Sequence, residues 1–190
     1  MNGRTRIVVT GLPAAGHVNP SLPLVGELTR RGTEVRYYAD EGFRAAVERT
    51  GAEFRAYPPG VLTAEDMAEA TRTGSPLRVV RRVLGATETL VPFLLEELRA
   101  DRPAAVAFDS TAVWGRISAA ELGLPMISLM TTIMIGDEAF DRRTPPERLR
   151  FVRTAPDVLG MMAAQRRVVR RFGARNLPPN PLFPPVSVTR

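Results

Sequence analysis

The sequence contains no cysteine and no lysine, and it has a single histidine, His17. The absence of cysteine excludes disulfide bonds, thiol nucleophiles and thiolate metal sites. One histidine cannot form a histidine-rich metal site, so no metal is expected. These absences direct attention to the one imidazole of the chain.

Aromatic residues make up only 6% of the chain. Its net charge is +6. Positive charge is typical of nucleic-acid binding, but here the arginines are not interleaved with aromatic residues, so we expect no nucleic-acid partner. No apolar run reaches the roughly 18 residues that a membrane span needs, and the first residues lack a signal-peptide pattern. A cytoplasmic protein is therefore expected.

Strand-like and helix-like patterns alternate along the 190 residues, which suffice for one sizeable domain. The alternation predicts an α/β fold, a Rossmann-like three-layer domain with a mostly parallel sheet. Predicted strands cover residues 6–10, 33–39, 52–57, 104–108 and 125–130. Predicted helices cover residues 20–31, 41–50, 77–100 with a kink at Pro92, 112–122 and 157–172. Residues 58–74 are expected to form a loop or a short helix, and residues 136–155 to be rich in turns.

His17 lies between the first predicted strand and the first predicted helix, where open parallel sheets place their chemistry. Asn19 is a suitable N-cap and Pro20 a suitable first helical residue. The positive end of the helix dipole would then favour a neutral imidazole, which can take a proton. A lone histidine is nevertheless more often a packing or surface residue than a catalytic one.

Gly11 and Gly16 are spaced like the two glycines of a phosphate-binding P-loop. His17 and Val18 follow them, so the required lysine and hydroxyl residue are absent, and the dinucleotide-binding glycine pattern fails as well. A nucleotide-binding flavodoxin-like domain is therefore the weakest of the hypotheses.

The segment Gly16-His-Val-Asn-Pro20, with the leucines that follow it, resembles the N-terminal half of a GT-B glycosyltransferase of family 1, of the macrolide and antibiotic type. Shorter matches extend the resemblance over most of the chain, at residues 33–37, 51–54, 108–110 and 122–125. It implies two facing Rossmann-like domains, of which the first binds an acceptor hydroxyl compound and the second a nucleotide sugar. Transfer would invert the anomeric centre without a metal.

By this resemblance, His17 is the base that deprotonates the acceptor, and Asp109 fixes the ring tautomer and stabilises the imidazolium. Independently, the first and fourth strands of a doubly wound sheet flank its switch point, so their carboxyl ends converge. A helix N-cap is an equally supported role for Asp109. Seven residues are expected to contact the acceptor: Pro13, Ala14, Tyr57, Pro58, Ser110, Met130 and Thr131. For each of them, ordinary packing is at least as well supported as ligand contact.

Residues 1–175 are expected to form the acceptor-binding domain, and the proline-rich residues 176–190 a linker toward a C-terminal donor-binding domain that the chain lacks. We expect the chain to bind a hydrophobic small molecule of polyketide or macrolide type, to hold no cofactor and to transfer no sugar alone. The completed enzyme would use a UDP- or dTDP-sugar. Whether the protein forms a homodimer is left open by the sequence. The alternative is a non-catalytic module of the same fold that binds a small molecule or a partner protein. For the arginines at 166, 167, 170 and 171, a solvated face is favoured over docking against another domain.

Overall fold

A computed structural model describes residues 5–72, 76–131 and 155–173 of the chain. Its strands are β1 (Arg6–Thr10), β2 (Glu34–Ala39), β3 (Glu53–Ala56), β4 (Ala105–Asp109) and β5 (Met126–Leu129). Its helices are α1 (Ala15–Arg30), α2 (Arg44–Glu48), preceded by a 3₁₀ turn over Glu41–Phe43, α3 (Ala64–Arg72), α4 (Pro76–Asp101), α5 (Val113–Glu121) and α6 (Ala155–Phe172). The predicted linker at 176–190 and most of the turn-rich region 136–155 lie outside the described residues.

The five strands form one parallel sheet in the order β3-β2-β1-β4-β5. The predicted α/β class and parallel sheet are confirmed. The strand order reverses between β1 and β4, which pair directly, with Thr10 opposite Phe108. The carboxyl ends of these two strands are therefore neighbours at the switch point, where open α/β sheets bind their ligands.

Helices cover both faces of the sheet. Successive strand residues point to opposite faces, so one strand can pack against both helical layers. On β1, Val8 belongs to the core cluster formed with α4, α5 and α6, whereas Val9 belongs to the cluster formed with α1 and α2. The wholly apolar run that predicted a central strand is β4, in which Val106 is fully buried.

The first helix begins at Ala15, so the predicted start at Pro20 is wrong. Ala14 has an extended backbone (φ −147°, ψ 136°), and its carbonyl accepts hydrogen bonds from the amides of His17 and Val18, both at 2.9 Å. His17 consequently lies inside the first helical turn and not before it.

Asn19 is accordingly not the N-cap, and Pro20 and Pro23 lie inside α1. A proline within a helix removes the amide that would bond to the carbonyl four residues earlier. For Pro20 that carbonyl belongs to Gly16, which is exposed to solvent, so water can satisfy it.

The helix α3 falls within residues 58–74, for which the sequence predicted either a loop or a short helix. Its start is a reciprocal cap: the Thr63 hydroxyl accepts from the Asp66 amide at 3.1 Å, and the Asp66 carboxylate accepts from the Thr63 amide at 3.1 Å. This Thr-x-x-Asp pair is the local sequence signal for the start of α3.

The four arginines of the basic face of α6 are all exposed, and two of them also contact α4. Arg167 donates to the Glu88 carboxylate of α4 at 2.8 Å, and Arg171 donates to the Glu88 carbonyl at 3.1 Å. Arg167 and Arg171 therefore connect α6 to α4 while they stay exposed, as Arg166 and Arg170 are.

The three tyrosines of the chain, Tyr37, Tyr38 and Tyr57, are all buried. Burial raises the pKa of Tyr37 to about 12 and raises the pKa of Tyr38 and of Tyr57 well above the usual value. An unfolded chain ionises its phenols near pH 10, so the unfolded state loses protons first. Tyrosine burial therefore contributes stability that is complete below pH 10 and is lost as the pH rises toward 12.

We expect the free energy of unfolding to fall above pH 10 by up to about 3 kcal/mol per pH unit from Tyr37 and Tyr57 together. Alkaline titration followed in parallel by tyrosinate absorbance and circular dichroism checks this. Tyrosinate should appear only with unfolding. Tyrosines that ionise near pH 10 in a chain that keeps its helical signal would contradict the burial.

Candidate active site

Three side chains from separate segments meet at the carboxyl edge of the sheet. His17 comes from the first turn of α1, Asp109 is the last residue of β4, and Thr131 follows β5. The His17 Nδ1 lies 2.9 Å from the Asp109 Oδ2, and the Thr131 hydroxyl lies 2.5 Å from the same oxygen and 2.9 Å from Nδ1. The Asp109 side chain is 4% exposed and the His17 side chain 16% exposed.

Asp109 uses its two carboxylate oxygens for different partners. Its Oδ1 accepts the amide of Thr111 at 2.8 Å, which forms an Asx turn. The next helix, α5, starts at Val113 and is preceded by Ala112, so Asp109 is not its N-cap. The Oδ2 is left for the imidazole, and the carboxylate thus orders its own loop and contacts His17 at the same time.

The Asp109 contact determines the chemistry available to the imidazole. A carboxylate only accepts hydrogen bonds, so Nδ1 of His17 carries the proton in this pair and the lone pair of the neutral ring is on Nε2. Nε2 has no hydrogen-bond partner among the described residues. A ring in this state can accept a proton from a hydroxyl group placed beside Nε2.

The turn that leads to His17 is fixed by aromatic side chains of the core. The Gly11 amide donates to the Tyr38 carbonyl at 2.9 Å, and the Gly11 carbonyl accepts from the Tyr57 hydroxyl at 3.0 Å. The indole of Trp114 in turn donates to the Tyr57 hydroxyl at 3.0 Å. A Cβ at Gly11 would lie 2.9 Å from the ring and hydroxyl of Tyr37, so only glycine fits here.

Tyr57, which the sequence predicted as an acceptor contact, is a core residue that is 6% exposed. Its hydroxyl is already used by Gly11 and Trp114. No sequence pattern had assigned a role to Trp114. The available signal was that a buried tryptophan needs an acceptor for its indole N–H, and this chain has one tryptophan.

The other predicted acceptor contacts differ in their solvent exposure. Met130 is exposed, at 43%. The Ser110 hydroxyl is buried and has no hydrogen-bond partner among the described residues. Ala14, Pro58 and Thr131 are half-buried, and Pro13 is buried.

Comparison with known proteins finds relatives of this chain, although no protein-family model matches it. Demethyllactenocin mycarosyltransferase of Streptomyces fradiae is 35% identical over 124 residues, which are 61% of this chain and 27% of that protein. An NDP-glycosyltransferase of Bacillus subtilis (strain 168) is 30% identical over 128 residues, 66% of this chain and 32% of that protein. The solved glycotransferase of kitacinnamycin superposes with a TM-score of 0.67 at 25% identity, over 92% of this chain and 42% of that one.

The chain is similar to a part, less than half, of antibiotic glycosyltransferases of the GT-B fold. It spans 27% and 32% of the two relatives and 42% of the solved structure. The resemblance inferred from the Gly-His-Val-Asn-Pro segment is confirmed.

A solved spinosyn rhamnosyltransferase, 25% identical with a TM-score of 0.53 over 65% of this chain and 34% of that one, has been determined with spinosyn aglycone and also with thymidine diphosphate. In the part of the chain that the structure describes, no helix combines the length and the apolar character that crossing a bilayer requires.

Proposed function

We propose that this chain is the acceptor-binding half of an inverting glycosyltransferase whose acceptor is a hydroxyl group of a polyketide- or macrolide-like natural product. The observation that carries the proposal is the contact of 2.9 Å between His17 Nδ1 and Asp109 Oδ2 at the sheet's switch point. The acceptor class is supported by the relative named as a mycarosyltransferase and by the structural neighbour that holds spinosyn aglycone.

In this proposal His17 is the general base. Nε2 takes the proton of the acceptor hydroxyl while the acceptor oxygen forms a bond to the anomeric carbon of the donor sugar. The bond from that carbon to the nucleotide diphosphate breaks, and its electron pair leaves with the diphosphate. Because the acceptor attacks from the face opposite the leaving group, the anomeric configuration inverts. Asp109 acts through His17, since its negative charge beside Nδ1 stabilises the imidazolium that forms.

The donor in this proposal is a nucleotide sugar of the UDP or dTDP type, bound by the part of the related glycosyltransferases that this chain does not match. The thymidine diphosphate held by a structural neighbour supports a nucleotide donor. We propose that the chain alone transfers no sugar, because it matches less than half of each related protein reported above. Sugar transfer by the isolated chain would contradict this part of the proposal.

The acceptor would lie on the Nε2 side of His17. The apolar side chains of Met130, Pro58 and Ala14 are accessible to differing degrees, and Ser110 has a hydroxyl without a partner among the described residues. Sites for large apolar ligands combine mostly hydrophobic walls with few polar groups, and methionine adapts to varied shapes. We propose that these residues, with Pro13, contact the acceptor.

The single histidine permits a direct test of acceptor binding. With isotope-labelled histidine, the ring resonances in nuclear magnetic resonance spectra belong to His17 alone. We expect polyketide aglycones to shift them saturably, and UDP- or dTDP-sugars alone to leave them unchanged. Tight binding of nucleotide without any response to aglycones would replace the proposal by a nucleotide-binding domain.

A further inference from the structure

We infer that Thr131 is a positioning residue of the His17–Asp109 pair, holding the carboxylate and the ring tautomer in place through its hydroxyl. The inference rests on the proposed function, in which that pair performs the proton transfer. It changes the role of Thr131 from acceptor contact to support of the base.

The hydrogen-bond geometry assigns both protons of the three-residue cluster. The oxygen Oδ2 of Asp109 lies 2.9 Å from the His17 Nδ1 and 2.5 Å from the Thr131 hydroxyl. Because Oδ2 can accept two hydrogen bonds, it takes the Nδ1 proton and the hydroxyl proton together. The Thr131 oxygen, 2.9 Å from Nδ1, then offers its lone pair as a second acceptor for the Nδ1 proton. Nδ1, Oδ2 and the Thr131 hydroxyl each have a partner in this arrangement, and Nε2 is left as the base.

The sheet holds Thr131 at this position. Leu129, at the end of β5, pairs with Asp109, and its carbonyl accepts the Ser110 amide at 2.9 Å. The chain therefore leaves β5 beside the carboxylate, and Thr131 comes two residues later. Together with the Thr111 amide on Oδ1, the Thr131 hydroxyl fixes the rotation of the Asp109 carboxylate on both oxygens.

A hydroxyl is required at this position, and valine, although it has the same shape, does not fit. Carbon atoms pack at about 3.5 to 4.0 Å from their neighbours. A methyl group in place of the Thr131 oxygen would have to move away from Oδ2 and Nδ1, and would supply neither a donor nor an acceptor. Serine keeps the hydroxyl and removes only the methyl group.

The tautomer of His17 is the readout, since a purely structural role of Thr131 would change stability without changing it. In nitrogen-15 spectra of the neutral ring, we expect the full chain and Thr131→Ser to show the Nδ1–H form as the main species. Thr131→Val and Thr131→Ala should show a smaller Nδ1–H fraction and faster exchange of the Nδ1 proton, because the carboxylate that still accepts it is no longer held in place. Ser128→Ala, which removes an exposed hydroxyl from the same segment, should match the unmodified chain. Circular dichroism of each variant verifies that it is folded.

The outcomes separate this inference from the proposed function. Asp109→Ala should abolish the Nδ1–H preference, and an unchanged tautomer in that variant would overturn the His17–Asp109 pair itself. If Asp109→Ala changes the tautomer but folded Thr131→Val and Thr131→Ala variants do not, Thr131 is not a positioning residue and the proposed function stands. A loss of the Nδ1–H form in Ser128→Ala would assign the effect to the segment as a whole and would equally overturn the role of the Thr131 hydroxyl.

Discussion

Replacing His17 with alanine is expected to lower the rate of sugar transfer by about 10² to 10⁴-fold in an enzyme completed with a donor-binding half, because positioned proton transfer contributes on that order. Alanine cannot take the proton of the acceptor hydroxyl. The affinity for the acceptor should change little, since apolar contacts dominate the binding of a large hydrophobic ligand. The measurement is kcat with saturating donor, together with the acceptor dissociation constant of the same variant.

Asn19→Ala is the matched control, because Asn19 is exposed two residues further along the same helix. It should transfer sugar at the unmodified rate. Survival of activity in His17→Ala would show that His17 is not the base. A chain that bound the acceptor and never supported transfer would favour the alternative left open by the sequence, a non-catalytic binding module of the same fold.

Replacing Gly115 with alanine is expected to destabilise the domain by about 1 to 3 kcal/mol or more, the usual cost of overpacking a core. Gly115 lies on α5 against the central strands, and a Cβ there would be 2.8 Å from the Cβ of Phe108. It would come still closer to the hydroxyl of Thr10 on β1. Neither neighbour can rotate away, because Phe108 meets it with an atom bonded to the backbone and Thr10 is fully buried.

Gly85→Ala is the matched control, because Gly85 is an exposed residue within α4 whose Cβ would meet no atom within 4 Å. Alanine in a helix interior is more favourable than glycine by roughly 0.5 to 1 kcal/mol, so this variant should gain stability. Urea unfolding of the two variants should give shifts of opposite sign. Equal stability of Gly115→Ala and the unmodified chain would contradict the close contact between α5 and β1.

Local patterns predicted the strands well because period and composition are properties of a few consecutive residues. The buried run at β4 and the alternation at β2 are examples. The start of α1 was mispredicted because Asn19 and Pro20 form a good local start signal. The competing start uses the extended Ala14, which follows a turn whose Gly11 carbonyl is held by Tyr57, 46 residues away in the chain.

The sequence by itself determined the fold class, the switch point between the first and fourth strands, and the approach of His17 to Asp109. The physical reason is that parallel strands joined by right-handed crossovers bring their carboxyl ends to one edge. Only the tertiary structure decided that the Thr131 hydroxyl lies against His17 and Asp109 and that the Tyr57 hydroxyl holds the turn at Gly11. These positions depend on contacts between residues 22 to 114 positions apart, which register and packing set and no local pattern records.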